Sequence, residues 1–109
     1  MNRDDKESAE LLHTIGYLYL SDGQYSRAAV FLLIANRIDP DHRGILRTLA
    51  ASLIEGGAGE RALGVIERLS AYDDHVSAQY LRARALWLLD RKADARRCFR
   101  DHLHLRTAQ

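Results

Sequence analysis

Apolar residues return along this chain with the spacing of helices, and the helices themselves return with a longer period. Leu11, Leu12, Ile15, Leu18 and Tyr19 share helical spacing over about residues 8–20. Residues 1–7 are polar and read as a frayed lead-in. A second helix is predicted over about 25–38, where the run from Ala28 to Ala35 is apolar enough to suggest burial on more than one face. Asp39-Pro40 ends it, because proline disfavours a helical residue before it. Asp41 is placed to cap a third helix over about 43–55. A fourth follows over about 60–71, a fifth over about 76–89 opened by Asp73-Asp74, and a sixth over about 92–105 using Ala95, Phe99 and Leu103. Ser21-Asp22-Gly23, the glycine run 56–59 and Asp90-Arg91 are short turns, so each pair of helices must pack antiparallel. No alternating strand pattern interrupts the series.

The longer period is carried by small residues. Gly16, Ala50 and Ala83 recur at spacings of 34 and 33. Ala28, Ala62 and Ala95 follow each of them by 12 residues, and Leu32, Ile66 and Phe99 come four residues later. Small residues let two helix backbones approach, and the bulky ones beside them fill the adjoining grooves. One such hairpin cannot bury its face alone, so the units stack.

In order and register, Leu12, Ile15-Gly16, Tyr19, Gly23, Tyr25, Ala28, Leu32, Ala35 and Pro40 resemble the tetratricopeptide repeat. A second copy keeps Leu46, Leu49-Ala50, Leu53, Gly57, Ala62 and Ile66, with Asp74 near the place of the closing proline. A third keeps Ala83, Ala85, Leu86, Leu89, Ala95 and Phe99, with Asp90 in place of the turn glycine. The resemblance implies an all-α fold: one domain over 1–109, built of three stacked hairpins (about 9–42, 43–75 and 76–105) in a right-handed superhelical array. Such arrays end in a polar capping helix, which the last stretch, Leu105 to Gln109, does not supply. The final hairpin is therefore expected to leave apolar surface for a partner.

A narrower likeness rests on Gly23 to Pro40, Gly59-Glu60-Arg61-Ala62, and Ala83-Arg84-Ala85-Leu86-Trp87-Leu88 leading to Asp94-Ala95-Arg96 and Phe99. These stretches resemble the small cytoplasmic chaperones of bacterial type III secretion, and within them the YscY group. That resemblance implies a non-enzymatic chaperone bound to a YscX-type secreted protein, the pair meeting the export gate of the secretion apparatus. In tetratricopeptide arrays the first helix of each hairpin lines the concave face. Carried over by position, this nominates His13, Tyr17 and Leu20, then Arg47, Ala51 and Ile54, then Tyr80, Arg84, Trp87 and Leu88 as partner-binding residues. Aromatic, aliphatic and arginine side chains together suit protein recognition. Arg47 and Arg84 have Ala51 and Leu88 four residues on, not acids, so their charges are expected to be free for a partner. Tyr19, Tyr25 and Leu86 hold packing positions.

Composition narrows the alternatives. Charged residues are 28% and hydrophobic ones 47%, as in a globular domain. The net charge of +1 hides an asymmetry: residues 1–60 carry 9 acidic and 6 basic side chains, and residues 61–109 carry 6 acidic and 10 basic. Arg82, Arg84, Arg91, Lys92, Arg96, Arg97, Arg100 and Arg106 crowd the last two helices, the arrangement of a nucleic-acid binder, although Asp90, Asp94 and Asp101 interleave with them. A generic scaffold or a homodimer paired through its last hairpin is the other alternative. Cys98 is the only cysteine, which excludes an intrachain disulfide and fits a reducing compartment. The polar start is unlike a signal peptide, and the longest apolar run is too short for a membrane span, so a cytoplasmic protein is expected.

Motifs with chemistry of their own fall short. Asp41-His42 and Asp74-His75 stand at the same turn of consecutive repeats, which favours capping over an imidazole oriented for metal or catalysis. His102 and His104 are two apart and point to different sides of a helix. The glycine run 56–59 lacks the lysine and hydroxyl of a phosphate loop. No nucleophile–base set stands out, and neither a cofactor nor a metal site is expected.

Overall fold

The computed structural model describes residues 1–72 and 74–108. Six helices follow one another: α1 (Arg3–Ser21), α2 (Tyr25–Ile38), α3 (Arg43–Glu55), α4 (Gly59–Ser70), α5 (His75–Leu88) and α6 (Lys92–Ala108). Among the described residues there is no strand. Successive helices pack as hairpins, and α3 and α5 also touch the first helix of the hairpin before them. The stack measures 43 × 29 × 20 Å.

The core follows the repeat. Ala28, Leu32, Leu46, Leu49, Ala50, Leu53, Ala62, Ile66, Leu69 and Ala85 are buried together, and Ala9, Ala35 and Ile45 form a smaller cluster where α3 meets the first hairpin. The small residue at each crossing is needed for space. A Cβ on Gly16 would stand 2.6 Å from Leu32 Cγ. Two turns use glycine in the left-handed region, Gly23 at φ 76° and Gly57 at φ 83°. At the third, Asp90 takes the same conformation at φ 62°, one that a side chain rarely adopts.

Several expectations are corrected. The lead-in is helical: α1 begins at Arg3, because the Asn2 side chain accepts the Asp5 amide at 2.8 Å and Asp4 and Asp5 oppose the positive end of the helix dipole. The sixth helix runs on to Ala108, while Gln109 and Asp73 lie outside the described residues. Helix α2 buries only one face. Ala28, Leu32, Ala35 and Asn36 are inside, whereas Val30, Leu33 and Ile34 are exposed, since neighbouring helices reach it on one side. Helix α3 is capped by His42, not Asp41: His42 Nδ1 accepts the Ile45 amide at 3.1 Å. Phe99 does not enter the core and is 45% exposed.

The displaced acids tie the repeats together instead. Asp41 accepts the Tyr72 hydroxyl, which holds that phenol above its usual pKa. Asp74 makes no side-chain cap on α5; its carboxylate meets Arg47 at 2.5 Å. Arg43 donates to the Tyr72 carbonyl at 3.0 Å, and Arg68 donates to Asn36 Oδ1 at 3.3 Å and the Pro40 carbonyl at 3.2 Å. These bonds between repeats lie at the inter-repeat turns, where side chains satisfy backbone carbonyls that no helix pairs.

Candidate partner groove

One side of the stack carries an open groove of about 330 Å³, lined by Tyr17 and Leu20 of α1, Arg47, Thr48 and Ala51 of α3, Val76, Ser77, Tyr80 and Leu81 of α5, and His102 of α6. Five of the ten nominated residues come together here: Tyr17, Leu20, Arg47, Ala51 and Tyr80. The repeat puts them there because the first helix of each hairpin presents the same register to one side.

The other five are placed differently. His13 is turned into the structure, where its Nε2 meets Thr48 Oγ1 at 2.9 Å and its ring lies edge-on to His42 at 5.5 Å. The Thr48 hydroxyl donates to the Gly44 carbonyl, so His13 Nε2 carries the proton and donates to Thr48. Burial, then His42 and Arg47, hold the His13 pKa below the ordinary imidazole value. Ile54 is a correction: it is buried in the core and offers a partner nothing. Arg84 and Trp87 line a second cleft of about 240 Å³ between α5 and α6, with Tyr80, Ala83, Ala95, Arg96 and Phe99. Leu88 is exposed but lines neither hollow.

The arginines are also corrected. Neither has a free charge: Arg47 pairs with Asp74, and Arg84 pairs with Glu55 and also lies 5.7 Å over the Tyr80 ring. Their acids come from other helices, which i+4 spacing does not reveal. These pairs contribute little to stability but hold the Arg47 guanidinium at the groove and the Arg84 guanidinium at the second cleft. Part of the basic cluster of the last two helices is similarly occupied. Arg82 meets Glu67, Arg91 and Arg97 both meet Asp94, and Lys92 meets Asp90. Lys92 and Arg96 flank the Trp87 ring at 5.2 and 5.8 Å. Cys98 is partly buried, and that burial raises its thiol pKa, which keeps it in the unreactive protonated form.

The sequence pattern of the tetratricopeptide repeat matches residues 19–86. The chain belongs to the tetratricopeptide repeat family. Among solved structures, the first such domain of the human RPAP3 protein, determined by NMR, superposes with a TM-score of 0.84. It is 18% identical, and the match covers 95% of this chain and 83% of that one, so the likeness is one of fold. Comparison with curated proteins found no match. No helix among the described residues is long and apolar enough to cross a membrane.

A tetratricopeptide array is a scaffold for contact between proteins, and this one supplies a groove with a mostly apolar wall. Sequence reasoning missed Thr48, Val76, Ser77, Leu81 and His102. Thr48 and Leu81 occupy one register, a single position beyond the nominated Arg47 and Tyr80, so the period itself could have found them. His102 falls in the repeat position of Ala35 and Leu69, both fully buried. It reaches the groove because its Nδ1 donates to the Val76 carbonyl at 2.9 Å and its ring lies 5.4 Å from that of Tyr80. No spacing rule signals that pair.

Proposed function

We propose that this chain is a non-enzymatic chaperone of the type III secretion kind, YscY-like, which acts in the bacterial cytoplasm. Residues 1–109 act as one unit of three repeats, and the concave groove holds a segment of a YscX-type export protein before the pair meets the export gate. The observation that carries this reading is the groove itself. Tyr17, Leu20, Ala51, Val76, Tyr80 and Leu81 gather from three helices into one apolar hollow, edged by the fixed Arg47 guanidinium. Tyrosines there offer broad rigid contact with a polar tip. An amphipathic segment can lay its apolar side on this wall and its carboxylates toward the arginine edge. The resemblance carried by Gly23 to Pro40 and by Ala83 to Phe99 supports the narrower identity.

The test is co-expression with the products of the neighbouring genes, followed by affinity capture and mass measurement of the retained protein. A stable complex whose formation is lost in a Tyr17→Ala, Tyr80→Ala double variant is expected. A complex indifferent to that variant, or no complex at all, would overturn the reading.

A further inference from the structure

We infer that copies of this chain stack head to tail, with α1 of one seated in the cleft between α5 and α6 of the next. On α3, Ile45, Leu49 and Ser52 form the face that packs back on the first hairpin, Ile45 lying against Ala9 and Ala35. On α5, Ala78, Arg82 and Ala85 hold those positions, and the two alanines are buried. One period earlier stand Leu11, Ile15 and Leu18 of α1. They are apolar and lie on one face, yet Leu11 and Leu18 are 62% and 61% exposed. Helix α1 thus presents, exposed, a face of the type that α3 buries.

The other end has the matching seat. Leu32 and Ile66 are fully buried, because α3 and α5 cover them. Phe99 holds the same position in the third hairpin and stays exposed, beside Trp87 and Tyr80 in the cleft of about 240 Å³. Leu103, one turn further on, is exposed as well. Charge agrees with one occupant. Residues 3–10 of α1 carry the exposed acids Asp4, Asp5, Glu7 and Glu10 against Arg3 and Lys6, with Arg3 paired to Glu7, while α6 carries Lys92, Arg96, Arg97, Arg100 and Arg106 against Asp94 and Asp101, so the two surfaces are opposite in net sign. A helix lying antiparallel to α6, as α3 lies to α2, brings the acidic start of α1 to the half of α6 that holds Arg100 and Arg106. The contact is heterologous, so it propagates unless the superhelix closes. Each added copy prolongs the groove.

Two variants separate this from other modes of association. Leu18→Glu blocks the front face and leaves the rear seat intact; Phe99→Glu does the reverse. Both positions are exposed, so the fold survives, and far-UV circular dichroism checks this. Leu11→Glu and Leu103→Glu form a second pair on the same two faces. The 109-residue chain is followed by sedimentation velocity from about 1 µM to about 1 mM at low salt. The wild type should grow in mass with concentration, and each variant alone should associate about tenfold more weakly or worse. Mixing the two variants should restore a complex, and it should stop at a 1:1 dimer. Added salt should weaken it. A wild type that stays monomeric throughout overturns the proposal. So does a front or rear variant that still self-associates, which is the mark of face-to-face pairing, or a mixture that forms nothing.

Discussion

Gly16 on α1 lies so close beneath Leu32 on α2 that a Cβ there would be 2.6 Å from Leu32 Cγ and 2.9 Å from Cδ2. Leu32 is fully buried and has nowhere to retreat. Gly64 on α4, by contrast, has nothing within 4 Å of an added Cβ. The two glycines therefore respond oppositely to alanine. Gly64→Ala should stabilise by about 0.5–1 kcal/mol through helix propensity alone. In Gly16→Ala the same gain is outweighed by overpacking of about 1–3 kcal/mol, leaving a net loss of about 1 kcal/mol. Urea midpoints of the two variants should fall on opposite sides of the parent.

The turn before α6 holds Asp90 at φ 62°, where the first two hairpins use Gly23 and Gly57. The Asp90 side chain has only a 3.7 Å exposed pairing with Lys92, which contributes little. Asp90→Gly should raise stability by about 0.5–1 kcal/mol, since relief of the left-handed strain exceeds the entropy glycine adds to the unfolded chain. A lower thermal midpoint would mean that this carboxylate supports the turn.

Acid should loosen the first hairpin. The His13 pKa is depressed by burial and by nearby His42 and Arg47, so the unfolded chain binds a proton more readily than the folded one. Stability is then complete above the ordinary imidazole value of about 6.5, and falls as pH drops below it toward the depressed folded pKa. His13→Gln, which retains a donor for Thr48, should flatten the fall. Unfolding midpoints between about pH 7 and pH 5 check it.

Ala62 lies at the crossing of α3 and α4 and is fully buried in the main cluster. Ala62→Leu should destabilise by about 1–3 kcal/mol through overpacking. At the surface, Arg84→Glu places an acid against Glu55 and removes the cation from the Tyr80 face. The expected cost is under about 1 kcal/mol in stability. Binding of a partner at the cleft between α5 and α6 should suffer more, and calorimetric titration beside chemical unfolding separates the two effects.

The helices, their pairing and the period were legible in the order of the amino acids. Local propensity, turn chemistry and the small–small–bulky rhythm act over a few residues, and each repeat states them again. Half of the groove was legible as well: once the tetratricopeptide resemblance makes the first helix of each hairpin the lining one, Tyr17, Leu20, Arg47, Ala51 and Tyr80 follow by position. Partners distant in the chain came only with the packed fold. Arg47 finds Asp74, Arg84 finds Glu55, Asp41 finds Tyr72 and His102 finds Val76, across 26 to 31 residues. Burial was decided in the same way. Leu32 and Phe99 share a repeat position, yet one is sealed by the next helix and the other is open, because exposure depends on what lies alongside and not on the residue itself.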